Sequence, residues 1–188
     1  METSSNVQGV PVSFAIDEAA LTQFLKQQAP WFHSDAGISV RYFSHGQSNP
    51  TYLVSSTSQP KQKLVLRKQP PGPILPSAHR VLREATIMRA LQGYLSPVPR
   101  IFASCSSPSV IGTPFFIMQF VDGIVFPDYA FQELQPSQRL QIFRGMADTL
   151  AAIHSVPHVQ AGASVTRPAD QGLTILQVLQ TLVPLKPS

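Results

Sequence analysis

Arg67 and Glu84 are the residues whose types and spacing point most directly at chemistry. Arg67 follows the apolar run Leu64-Val65-Leu66, and Glu84 lies in the helix-like stretch 79–91. A cation on a strand and a carboxylate on the next helix can hold phosphate oxygens, the acid orienting the base. Side chains alternate along a strand, so Val65 shares a face with Arg67 and is placed to lie over an adenine. Lys68 faces the other way and is expected in solvent. The plain alternative is a basic edge strand and an exposed helix glutamate.

Two further segments suit the same ligand. Gly46-Gln47-Ser48-Asn49 stands at a strand-to-strand turn, where glycine allows close backbone approach and Ser48 and Asn49 offer donors. It matches neither the Walker pattern nor GxGxxG, and an ordinary hairpin turn explains it equally well. Phe116 to Val121 reads as an apolar strand with Met118 at its inner end. Backbone groups of Gln119, Phe120 and Val121 would then pair with the adenine edge; the alternative is a buried strand and nothing more. No catalytic residue is nominated, and no metal site. His154 and His158 have a ligand-like spacing, but Pro157 between them should break the helix. No Ser–His–Asp arrangement is visible.

The elements that must position these residues follow from periodicity. The chain reads as a loose N-terminus over 1–13, then a helix from the Asp17 cap to about Gln27. Strands are predicted over 38–43, 51–55 and 63–68, the last stopped by Gln69-Pro70-Pro71-Gly72-Pro73. A helix from about Ser77 to Gln92 follows, with Val81, Ile87, Met88 and Leu91 as core. Strands over 101–104 and 115–121 precede a helix from about Ser137 to His154. On that helix Leu140, Phe143, Met146, Ala147, Leu150 and Ile153 recur at helical spacing and should be core. The order predicts an α+β lobe with a five-stranded antiparallel sheet. Residues 157–188 form a separate proline-containing tail, in which Leu173 to Val183 reads as a short apolar helix.

Bulk properties bound the partners. The 188 residues suffice for one domain with a sizeable core, at 43% hydrophobic and only 13% charged residues. The net charge is +4, and residues 61–100 carry Lys61, Lys63, Arg67, Lys68, Arg80, Arg83, Arg89 and Arg100 against Glu84. That stretch suits phosphate, but it lacks the aromatic interleaving of a nucleic-acid binder, so nucleic acid is not expected. A solvated helix face plus strand ends accounts for most of it. The single cysteine, Cys105, excludes an internal disulfide framework and reads as structural. Neither a secretory signal nor a membrane-length apolar run is legible, so an intracellular, cytoplasmic chain without membrane contact is expected.

Taken in order, these segments resemble one family. Gly46-Gln47-Ser48-Asn49-Pro50-Thr51-Tyr52, Leu64 to Gly72 and Ala78 to Glu84 look like the N-terminal lobe of aminoglycoside-phosphotransferase-like kinases. Pro97-Val98-Pro99, Ile111 to Met118 and Leu150 to Ser155 continue the likeness, which covers about residues 14–156. It runs in particular to the kinase-like domains at the front of acyl-CoA dehydrogenase family members 10 and 11. The resemblance implies a protein-kinase-like N-lobe plus the start of a C-lobe, with ATP as ligand. Arg67 takes the place of the usual strand lysine, and Glu84 orients it.

Full-length relatives are expected to act on hydroxyacyl-CoA in fatty-acid oxidation, in peroxisome or mitochondrion. FAD would belong to their dehydrogenase part and not to this sequence. The family's His-Gly-Asp segment ending in asparagine, and the metal-binding aspartate after it, do not occur here. Beyond Val121 the acids are Asp122, Asp128, Glu133, Asp148 and Asp170. Magnesium binding and phosphotransfer are therefore not expected. The positioning and charge terms lost would be a large part of the ~8–23 kcal/mol by which enzymes lower barriers. A truncated or alternatively spliced product is one expectation. A non-catalytic module, docking a protein partner through its tail or its uncovered lobe face, is the alternative.

Overall fold

The computed structural model describes residues 7–11, 14–43, 49–72, 81–95, 98–123, 126 and 130–156. The chain divides into two compact units, Met1–Thr86 with Arg100–Phe120, and Ile87–Pro99 with Val121–Ser188.

The first unit is a sheet with a helix on one face. Its strands are β1 (Val7–Gln8), β2 (Ile38–Phe43), β3 (Thr51–Ser56), β4 (Lys63–Lys68), β5 (Ile101–Cys105) and β6 (Phe115–Gln119). They lie in the order β1-β2-β3-β4-β6-β5, every neighbouring pair antiparallel. The five expected strands are all present. Helix α1 (Glu18–Gln28) is capped by Asp17, whose side chain accepts from the Ala20 amide at 2.9 Å. Leu21 and Leu25, one turn apart, are fully buried with Ile38, Val40, Tyr52, Val54, Leu64, Leu66, Phe115 and Ile117. Phe24 meets Phe115 edge-on at 4.9 Å. Burying each such leucine is worth about 1.5–3 kcal/mol, so α1 fixes the sheet's inner face.

Three expectations change here. The N-terminus is predicted loose to residue 13, yet Val7 and Gln8 pair with Phe43 and Tyr42. Phe14 also stacks on Tyr42 at 5.6 Å, and its carbonyl accepts from the Tyr52 hydroxyl at 2.9 Å. Lys68 is predicted solvated and is instead only 5% exposed, donating to the Ile111 carbonyl at 2.9 Å. β4 is a central strand, so the face opposite Arg67 is the α1-covered core and not solvent. The strand predicted to Val121 ends at Gln119, which pairs with Leu64 near the start of β4.

Helix α2 spans Val81–Gln92, and its predicted start at about Ser77 lies outside the described residues. Val81, Met88 and Leu91 are buried as expected, while Ile87 is half-buried.

In the second unit, α3 (Pro136–Ser155) starts with Pro136 in its first turn, and the Gln138 side chain caps the Gln135 amide at 3.0 Å. Its predicted core face is a correction. Leu140 and Phe143 are each 50% exposed, Ala147 is exposed, and Met146, Leu150 and Ile153 are half-buried. Ile142, absent from that prediction, is the buried residue of the helix. Helical spacing locates an apolar stripe but cannot say whether anything covers it. Phe143 packs on Phe131 at 5.6 Å, which in turn meets Phe126 at 5.2 Å. No helix among the described residues is long and apolar enough to cross a membrane.

Candidate functional site

The sheet face away from α1 carries the candidate site. Register sets its rows: Thr51, Arg67 and Phe116 lie opposite one another, as do Leu53, Val65 and Met118. Directly opposed residues of an antiparallel pair share a face, so a polar row and an apolar row run side by side. Leu53, Val65, Phe116 and Met118 are all buried.

Arg67 and Glu84 do meet. Arg67 Nε donates to Glu84 Oε2 at 3.1 Å, with the two side chains 13% and 9% exposed. Glu84 sits in the first turn of α2, where the helix dipole favours a carboxylate. Burial pushes its carboxyl above the usual range, opposed by the Arg67 charge and hydrogen bond and by the Asn49 side chain. Glu84 Oε1 is buried and has no hydrogen-bond partner among the described residues. A buried ion pair of this kind is costly to break, because removing one partner strands the other.

The guanidinium makes a second contact. Arg67 Nη1 donates to Thr51 Oγ1 at 3.4 Å, and Thr51 Oγ1 donates to the Asn49 carbonyl at 3.0 Å. Among the described residues nothing accepts from Nη2. The cation is thus held on two sides, at Nε and Nη1. Thr51 and Leu53 are absent from the sequence-based site. Their signal is strand register, since each lies opposite a nominated residue of β4.

The other nominated residues fall as follows. Asn49 is 5% exposed, so it belongs to the buried polar cluster. Val65 and Met118 are cross-strand neighbours. The Gln119 amide donates to the Arg100 carbonyl at 2.8 Å, and its side chain accepts from the Arg100 amide at 3.3 Å. Its N–H is therefore committed, and an adenine edge could use only its carbonyl. Phe120 lies beneath the Lys63 ammonium, 5.1 Å from the ring centre. Val121 is half-buried and belongs to the second unit. Gly46 and Ser48 lie outside the described residues. No group of three or more metal-ligating side chains occurs among the described residues.

Comparison with known proteins identifies the family of the chain and supports the fold. The model of the phosphotransferase enzyme family matches residues 39–183. Acyl-CoA dehydrogenase family member 10 of Mus musculus is 41% identical over 151 residues, covering 80% of this chain and 14% of that protein. Acyl-CoA dehydrogenase family member 11 of Rattus norvegicus is 38% identical over 156 residues, covering 82% and 20%. A Ralstonia eutropha crystal structure assigned as an aminoglycoside phosphotransferase superposes with a TM-score of 0.64 at 34% identity. It covers 80% of this chain and 41% of its own. The chain thus spans a fifth or less of the length of these curated relatives.

Proposed function

The chain belongs to the phosphotransferase enzyme family, and from that premise we propose that it carries a nucleotide site, with ATP as ligand. The observation that carries the reading is the buried Arg67–Glu84 pair, oriented at Nε and Nη1 and open at Nη2. Arg67 neutralises the phosphates. Val65, Leu53 and Met118 supply the apolar surface against the base, and the Gln119 carbonyl with the backbone of Phe120 and Val121 supplies the base edge. Gly46 and Ser48 take the phosphate loop's part.

Within these 188 residues no His-Gly-Asp segment supplies a base or metal ligands. We therefore read the sequence as binding nucleotide without transferring its phosphoryl group. The relatives' names carry the words acyl-CoA dehydrogenase; acyl-CoA chemistry in fatty-acid metabolism is proposed for the longer proteins, with FAD in their dehydrogenase part.

Melting curves test this. ATP at millimolar concentration should raise the midpoint by a few degrees, as binding linkage requires, with or without EDTA. Adenosine should raise it less. No shift with ATP, or an equal shift with adenosine, would remove Arg67 from the reading. The exposed Leu140 and Phe143 of α3 favour the second reading, a protein-docking module, which a null ATP result would bring forward.

A further inference from the structure

The polar row beside Arg67 suggests why an arginine suits this position. A lysine offers one ammonium group; the guanidinium offers three nitrogens in a fixed plane. Here two are engaged inside the fold. Nε is held by Glu84 at 3.1 Å and Nη1 by Thr51 Oγ1 at 3.4 Å. The second distance is long for such a bond, so its worth lies in direction more than in strength. Thr51 can only accept there, because its own proton goes to the Asn49 carbonyl at 3.0 Å. Asn49 is itself buried, and its side chain acts on Glu84. One short segment thereby touches both members of the ion pair.

We propose that Thr51 is a positioning residue for Arg67, holding Nη1 so that Nη2 is presented to the anionic end of a bound nucleotide, with the buried Asn49 orienting the Thr51 hydroxyl. The inference rests on the nucleotide reading above. Thr51 does not touch the ligand and acts only through Arg67. Asn49, nominated as a phosphate donor, takes a structural part in this arrangement.

The test uses the full 188-residue chain as wild type, Thr51→Val and Thr51→Ser. Valine keeps the β-branched shape that a strand favours and removes the acceptor; serine keeps the hydroxyl. Calorimetry should show ATP affinity reduced about fivefold in T51V, adenosine affinity unchanged, and ATP affinity recovered in T51S. A merely structural role would weaken both ligands together, and that result overturns the inference. So does unchanged ATP binding in T51V, or failure of serine to restore it. Nitrogen-15 spectra of the Arg67 guanidinium in the free protein separate this from the parent reading. Slowed rotation of the guanidinium in wild type that is lost in T51V supports the positioning role whether or not ATP binds. Identical rotation in the two proteins overturns it, even if wild type binds ATP.

Discussion

Arg67 and Lys68 are adjacent cations on β4 with opposite surroundings, and each predicts a different pH response. Arg67 faces Glu84, whose carboxyl burial pushes up. Replacing Arg67 by methionine strands that carboxylate and should cost about 3–5 kcal/mol at neutral pH. Losing the arginine also removes what held the carboxyl down, so it rises further. Protonated Glu84 needs no counter-ion, so R67M should regain part of its stability relative to wild type as pH falls toward about 5. Urea denaturation at the two pH values checks this. Lys68 is buried, and burial lowers its ammonium from the ordinary 10.5. The unfolded chain then binds the proton more tightly than the fold does. Stability should rise with pH from the lowered value up to 10.5. Lys68→Met should abolish that rise, read from denaturation at neutral and alkaline pH. The Arg67–Glu84 pair was legible from residue types on a strand and the next helix. Thr51 was not, because its place depends on a register no single strand contains. Nor was the burial of Lys68, because alternation names the face but not what covers it.

The elements rest on a few deeply buried side chains. Phe115 is fully buried on β6 and meets Phe24 of α1, so Phe115→Ala should cost about 3–5 kcal/mol by chemical denaturation. Because β6 lies between β4 and β5 and carries Met118, the loss should also weaken any ATP-induced stabilisation. Tyr52→Phe should cost only about 1 kcal/mol, the net worth of one hydrogen bond to the Phe14 carbonyl. The longer strands were readable because half their residues alternate into a core, as Ile38, Val40 and Tyr42 do on β2. β1 has two residues and offers no alternation to read; its pairing comes from the Val7–Phe43 register. The α1 boundary followed from Asp17, a cap whose hydrogen bond the structure retains.

At the scale of the whole molecule, sheet order sets the rows of the candidate site, while α3 lies outside it. Ile142→Ala should destabilise by about 2–4 kcal/mol. Phe143→Ser, at a half-exposed position, should cost much less and raise solubility, measured by saturating concentration and melting midpoint. The stripe of apolar residues on α3 was legible; its exposure was not, since exposure is a property of neighbours. The central claim is that ATP binds the Arg67 face of the sheet. Amide spectra of the labelled 188-residue chain titrated with ATP test it most directly. The account predicts saturable shifts centred on Leu53, Val65, Arg67, Glu84 and Met118, with the α1 residues Leu21 and Leu25 undisturbed. Absence of saturable shifts, or shifts clustered away from that face, would contradict it.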